Sequence, residues 1–278
     1  MTVRDRLRAA SRELRAAGVP DPEYDSAMLL SFLTGRPPLE LRLETGEELT
    51  EEQERDFRAL LLRRKSREPL QYLIGTAVFC GFEFLTAPGV LIPRPETELL
   101  AEWAAKRLEG RDAPEILDLC CGSGCIGLSL AKRLPGARVT LTDLSPEAVR
   151  LTESNRKKIG VQAEVVSGDL FAPAAGRRFD LIVSNPPYIP SAECDSLQPE
   201  VLHEPRLALD GGADGLDFYR RIVREAGVHL KRDGLLLMEV GEGEAETVAE
   251  WLRNSGAGKT EIRKDDAGIS RMVLGEFV

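Results

Sequence analysis

Asp118-Leu119-Cys120-Cys121-Gly122-Ser123-Gly124-Cys125-Ile126-Gly127 joins a short aliphatic run to a helical pattern. Glycines between a buried strand and a helix let the backbone approach a ligand closely and aim amides from the helix N-terminus. Outward from this loop, strand and helix patterns alternate through residues 114–278. Strands are expected at Ile116–Cys120, Arg138–Thr142, Ala163–Ser167, Phe179–Ser184, Leu235–Val240, about Thr260–Lys264 and Arg271–Gly275. Helices are expected near Ile126–Leu134, Pro146–Ile159, Asp217–Leu230 and Glu244–Asn254. Such alternation builds an α/β, doubly wound sheet covered by helices on both faces. The last two strands have no helix between them, which predicts an antiparallel hairpin at the sheet edge.

Two cofactor classes suit the loop. Gly122-Ser123-Gly124-Cys125-Ile126-Gly127 matches the dinucleotide fingerprint, and Asp143 lies near the distance expected of an acid gripping ribose hydroxyls. S-adenosylmethionine sites use a similar loop and acid but face a sulfonium and an amino acid tail. Asp118 favours the cationic cofactor, because a carboxylate beside a pyrophosphate repels it. Asp169, in Ser167-Gly168-Asp169-Leu170-Phe171, is placed to bond an adenine amino group, with Leu170 and Phe171 flanking the ring. Singly, each acid reads as a strand-end turn residue. Together, Asp118, Asp143, Asp169 and Asn185 end four strands on the edge of a parallel sheet where such folds bind ligands.

The run Phe179-Asp180-Leu181-Ile182-Val183 leads into Ser184-Asn185-Pro186-Pro187-Tyr188. A β-branched run stopped by a double proline is a buried strand ending in a rigid, extended turn. Asn185 offers an amide oxygen that accepts but does not titrate, and the Pro186 carbonyl is kept out of any helix. Two acceptors there can grip the two hydrogens of one NH2 group, while the Tyr188 ring offers a stacking face. Alone, the stretch also reads as an ordinary turn. A dehydrogenase has no use for it, whereas methyl transfer to nitrogen does.

The first 68 residues read as helical. Thr2 caps a helix ending near Gly18, Asp21-Pro22 opens one running to Gly35, and Thr50 with Gln53 forms a capping box for a third. Phe57, Leu60, Leu61 and Leu62 are assigned to the apolar side of that third helix. Arg63, Arg64, Lys65 and Arg67 close it, read as a solvated helix end or, alternatively, a docking patch for an acidic partner. Val78–Phe84 followed by Gly89-Val90-Leu91-Ile92 predicts a short hairpin. Pro95 or Thr97 begins the next helix, whose acidic first-turn residues Glu96 and Glu98 either suit its N-terminus or frame a pocket. The resulting division is a helical domain over 1–70, a hairpin linker over 71–95 and a catalytic domain over 96–278.

A chain of 278 residues, 42% hydrophobic and 30% charged, is that of a globular protein with ample length for a core. No apolar run approaches the roughly 18 residues of a membrane span, and the charged opening is unlike a signal peptide, which points to the cytoplasm. Five cysteines, two adjacent, make no secreted disulfide pattern, and two histidines supply no spaced zinc pairs, so no metal is expected. A net charge of −9 argues against holding duplex DNA through the protein's own field. No exposed apolar stripe asks for a second copy, so a monomer is expected.

With these residues in hand, the chain resembles the HemK/PrmC family of protein-(glutamine-N5) methyltransferases that modify peptide chain release factors. The stretches that carry the resemblance are Ile92–Glu98, Asp180–Pro190, His203-Glu204-Pro205, Gly215–Tyr219 and Asp266–Arg271. The resemblance implies a class I, Rossmann-like methyltransferase domain with a seven-stranded sheet, behind a small helical N-terminal domain that recognises the substrate. It implies S-adenosyl-L-methionine as cofactor and the glutamine of the Gly-Gly-Gln motif of class 1 release factors as substrate, with no nucleic acid or membrane required. Residue by residue, the cofactor loop falls on Cys120, Cys121, Gly122, Ser123 and Gly124, the ribose acid on Asp143, and the adenine-side pair on Asp169 and Leu170. Asn185 borders cofactor and substrate, and Asn185, Pro186, Pro187 and Tyr188 form the substrate platform, with Asn185, Pro186 and Tyr188 catalytic.

Cys120-Cys121 departs from the family's usual Gly-Thr, which predicts altered cofactor affinity but retained binding. The rival readings are methylation of a ribosomal-protein glutamine and of a nucleobase amino group. The second needs a basic groove and a base-flipping pocket.

Overall fold

The computed structural model describes residues 2–43 and 46–278; Met1, Glu44 and Thr45, which fall within the expected 1–70 domain, lie outside the described residues. The chain divides into two compact units, Met1–Thr76 with Gln198–His203, and Ala77–Leu197 with Glu204–Val278.

The first unit contains α1 (Val3–Ala16), α2 (Pro22–Thr34), α3 (Pro38–Leu43), α4 (Glu51–Lys65) and α5 (Leu70–Ile74). Local chemistry starts the longer helices where expected. Thr2 Oγ1 accepts from the Asp5 amide, and the Thr50–Gln53 capping box closes in both directions at 3.1 and 3.0 Å. Pro22 opens α2 and Gly35, at φ +69°, ends it, but Asp21 makes no side-chain cap bond. Leu7, Leu14, Leu29, Leu30, Phe57 and Leu61 share one core. Leu62 does not join it and is 65% exposed. It lies one residue, about 100°, beyond Leu61, which turns it off the buried stripe.

Of the basic cluster only Arg63 is an exposed helix-end cation. Arg64 is buried, with Nε 2.7 Å from Asp25 and Nη2 2.9 Å from Glu200, and Arg67 grips Glu200 with two bonds of 2.6 Å. Arg63 pairs with Glu68 and Lys65 with Glu13. These cations neutralise acids of their own unit, and Glu200 explains why Gln198–His203 groups with the helices.

From Ala77 the second unit takes in β1 (Thr76–Phe79), all but its first residue, and β2 (Phe82–Leu85), turned through Cys80 and Gly81 at φ +51° and +79°. Two left-handed residues make the tight hairpin turn whose twist matches its strands. The segment Gly89–Ile92 is irregular, not a strand. Pro88 and Pro93 flank it and cannot donate to a ladder. Then follow α6 (Pro95–Arg107), β3 (Glu115–Leu119), α7 (Cys125–Arg133), β4 (Arg138–Asp143), α8 (Pro146–Ile159), β5 (Glu164–Ser167) and β6 (Phe179–Ser184). The chain closes with α9 (Asp217–His229), β7 (Leu230–Glu239), α10 (Ala245–Asn254), β8 (Ala257–Lys264) and β9 (Ser270–Phe277).

The seven-stranded sheet runs β5-β4-β3-β6-β7-β9-β8, parallel from β5 to β7 and antiparallel through β9 and β8. The terminal hairpin is at the edge, with its second strand inserted between β7 and β8. Side chains alternate across the sheet. Ile116, Leu181, Val183, Leu235 and Leu237 face one core with α6 and α7, while Leu117, Leu119, Ile182, Leu236 and Met238 face the other with α9 and α10. Each fully buried Leu or Ile contributes roughly 1.5–3 kcal/mol. That two-sided burial holds the strand ends rigid.

Candidate active site

Strand order reverses between β3 and β6, so the chain leaves these neighbours in opposite directions and opens a crevice at their C-terminal ends. Register brings the ends level: Leu119 pairs with both Thr142 and Ser184, and Asp143 pairs with Ser167. Ser184 Oγ donates to the Leu119 carbonyl at 2.8 Å and ties β6 to β3. A cavity of about 290 Å³ lies at this edge. Its walls include Cys120, Cys121, Gly122, Ser123, Asp143, Asp169, Leu170, Asn185 and Pro187. Gly124, Pro186 and Tyr188 are not among its lining residues.

Three side chains shape the glycine loop. Asp143 accepts the Gly122 amide on Oδ2 at 2.8 Å and the Ser145 amide on Oδ1 at 2.9 Å, while burial pushes its carboxyl upward against those bonds. Thr152 donates to the Gly122 carbonyl, and buried Asn155 donates to the Ser123 and Leu85 carbonyls while accepting the Leu85 amide. Cys120 and Leu170 occupy left-handed backbone at φ +57° and +45°. Gly124, at φ +79°, turns away from the cavity into α7; a Cβ there would lie 2.8 Å from Thr152 and 2.9 Å from Leu128. Thus Gly124 shapes the loop without facing a ligand.

Asp118 also lies behind the wall. It is fully buried, accepts the Gly127 amide on Oδ2 at 2.8 Å and leaves Oδ1 unpartnered, so burial pushes its carboxyl up to about 8. Its side chain alternates onto the α7 face with Ile116. Asp169 is exposed, with Oδ2 held by Arg221 at 2.6 Å.

The platform is anchored from behind. Tyr188 packs against the α9–α10 core, and burial pushes its hydroxyl up to about 12. Ile189 exchanges bonds with Leu209 and Gly211, and a Cβ on Gly215 would come within 2.4 Å of the Tyr188 carbonyl. Glycine at 215 is therefore a condition of the platform's position. Asn185 donates from Nδ2 to Thr97 Oγ1 at 3.2 Å, and Thr97 Oγ1 donates to Glu239 Oε2 at 2.6 Å. Burial pushes the Glu239 carboxyl up to about 7.

Read from sequence, Thr97 is a helix start, Glu204 and Phe218 belong only to the stretches that carry the family resemblance, and Glu239, Leu144 and Leu207 have no role. Leu144, Leu207, Phe218 and Thr97 line the cavity, whereas Glu96 and Glu98 do not. Buried Glu204 accepts from the Ile92 amide and from Arg94, joining two of the stretches that carry the family resemblance.

These residues suit a cationic nucleoside better than a dinucleotide. The amides of Cys121, Gly122 and Gly124 are already taken by Thr142, Asp143 and Cys121, and Arg94 on the wall is paired with Glu204. A pyrophosphate therefore loses three of the loop's donors. The carboxylates of Asp143 and Asp169 instead present acceptors to hydroxyl, amino or cationic groups.

Residues 83–212 match the methyltransferase small domain, and the fold resembles the 16S rRNA N2 G1207 methyltransferase of T. Thermophilus in complex with AdoMet and guanosine. That likeness has a TM-score of 0.55 at 23% identity and covers 73% of this chain and 50% of the other. The fold is that of a class I methyltransferase. Residues 5–75 match the PrmC N-terminal domain. The chain is 43% identical to the release factor glutamine methyltransferase of Geobacter sulfurreducens, over 99% of this chain and 97% of that one. It is 42% identical to that of Moorella thermoacetica, over 99% and 98%. The chain belongs to the release factor glutamine methyltransferase family. No helix among the described residues is long and apolar enough to cross a membrane.

Proposed function

We propose that this enzyme transfers a methyl group from S-adenosyl-L-methionine to the side-chain nitrogen of the glutamine in the Gly-Gly-Gln motif of class 1 release factors. The observation that carries the reading is Asn185. Its NH2 is turned back onto Thr97, so Oδ1, which no donor among the described residues reaches, is the group it offers to the cavity.

Asp143 would hold the cofactor's ribose, Asp169 and Leu170 its adenine side, and Cys120–Gly124 its amino acid end. When bound, S-adenosylmethionine supplies an electrophilic methyl group on a sulfonium. An amide nitrogen is a weak nucleophile, because its lone pair is delocalised into the carbonyl. Asn185 Oδ1 accepts one amide hydrogen, and the Pro186 carbonyl, which takes no hydrogen bond among the described residues, accepts the other. Two acceptors at fixed positions orient the nitrogen and stabilise the charge that grows on it. Tyr188 braces this turn, and Pro187 supplies wall. The helical unit is assigned to substrate recognition, acting as a monomer in the cytoplasm.

The test is incubation with labelled S-adenosylmethionine and a release factor, its Gly-Gly-Gln Gln→Ala variant, ribosomal proteins, and DNA. Label on the unaltered factor alone is expected. Label on a ribosomal protein or DNA would overturn the substrate, and label on the Gln→Ala factor would overturn the residue. Asn185→Ala is expected to lower kcat on the order of 100-fold with near-normal cofactor affinity, whereas Asp143→Ala weakens cofactor binding. Unchanged turnover in Asn185→Ala would refute the acceptor role.

A further inference from the structure

From the hydrogen-bond chain behind the cavity we infer that Thr97 and Glu239 are positioning residues, which lock the Asn185 amide with its oxygen toward the substrate and thereby make the site an acceptor of NH2 groups. The inference rests on the reading of Asn185 as the substrate's acceptor.

A hydroxyl has one hydrogen. Thr97 gives its hydrogen to Glu239 Oε2 at 2.6 Å, so only lone pairs remain on Thr97 Oγ1 for Asn185 at 3.2 Å. Only the NH2 half of the Asn185 amide can face such an oxygen. A rotation of 180° about the last side-chain bond would set two acceptors against each other and turn an NH2 toward the substrate's NH2. Both relay residues are buried, at 2% and 3% exposure, so water does not offer the flipped amide a substitute partner. Packing fixes the ends. Thr97 sits in the first turn of α6, its amide bonded to the Arg94 carbonyl, and Glu239 ends β7, its carbonyl bonded by the Tyr219 hydroxyl.

Ionised, Glu239 can only accept, and the chain has one direction. Protonated, it can donate to Thr97, whose own hydrogen is then free to turn toward Asn185. The groups bearing on Glu239 are Arg94, Glu96 and Arg271, together with Tyr188, Tyr219 and Cys125, whose own titrations it influences. With burial outweighing the two arginines, the carboxyl titrates at about 7, which sets the reversal in the neutral range.

Two measurements test this. In the full-length protein without cofactor, side-chain NMR of labelled asparagine is expected to show Asn185 NH2 protons protected from exchange at pH 8, and in Thr97→Val that protection is lost. This arm reads the relay even if the wild-type protein methylates no glutamine. In the transfer assay, Thr97→Val is expected to lower kcat on the order of 10- to 100-fold with little change in KM for the release factor, and Thr97→Ser is expected to restore most of it. Wild-type kcat should fall as pH drops below about 7, a limb absent in Glu239→Gln. Full protection and kcat in Thr97→Val, failure of Thr97→Ser to rescue, or persistence of the acid limb in Glu239→Gln would each overturn the relay.

Discussion

Cys120 stands where the family resemblance implies a glycine, and its backbone has the conformation that glycine adopts most cheaply. At φ +57° the side chain sits in left-handed space, a cost of about 1–2 kcal/mol. Cys120→Gly relieves that cost but frees the unfolded chain by roughly 0.5–1 kcal/mol and removes the thiol's packing. Stability is expected to stay within about 1 kcal/mol in chemical denaturation. A β-branched Cys120→Val is expected to lose on the order of 2 kcal/mol. Equal midpoints for the two variants would show that strain at this position is not what matters.

At the scale of elements, the close approach of α7 to the sheet is set by Gly127. A Cβ there would lie 2.7 Å from Leu141 Cδ2 and 2.9 Å from Asp118 Oδ2, the atom that accepts the Gly127 amide. Gly127→Ala is expected to cost about 1–3 kcal/mol by overpacking and to weaken cofactor binding by moving the loop that α7 anchors. In the helical unit, Arg64 bridges α2 and the 198–203 segment. Arg64→Ala strands buried Asp25 and is expected to cost about 3–5 kcal/mol, with part of the loss recovered by adding Asp25→Leu. A loss below about 1 kcal/mol would return the cluster to a surface role.

At the scale of the whole molecule, stability should depend on pH in an uncommon direction. Glu239 and Asp118 have folded values near 7 and 8, raised from ordinary values of 4.5 and 3.8. A raised carboxyl favours the folded state fully below its unfolded value, and this contribution is lost as pH rises through the folded value. Glu239 alone accounts for roughly 3 kcal/mol between pH 4.5 and 7. Exposed, paired acids such as Asp214, lowered to about 2, act oppositely at acid pH. Denaturation midpoints are expected to fall from pH 5 to pH 9, and to fall less in Glu239→Gln, most of that difference arising below pH 7. Identical slopes would assign the pH dependence elsewhere.

What the sequence determined by itself is what nearest neighbours along the chain dictate. Thr50 and Gln53 sit one turn apart and close their own capping box, Pro146–Ile159 has the boundaries its proline and glycine predict, and alternating aliphatics place seven strands in the catalytic segment. The four-strand edge was legible because parallel strands with helical crossovers must end together. Tertiary structure decided everything that depends on which distant side chains meet. A run of three leucines does not say which one faces inward, and Leu62 faces out. Arg64 reads as surface charge until Asp25 and Glu200 are folded beside it. Tyr188 and Gly124 belong to the predicted motifs, yet only packing shows them bracing the site from behind. Thr97 and Glu239 are 142 residues apart, and no local pattern pairs them. Hydrogen bonds need contact within about 3 Å, so the chemistry of each residue is written in the chain, while its direction toward Asn185 exists only once the sheet has formed.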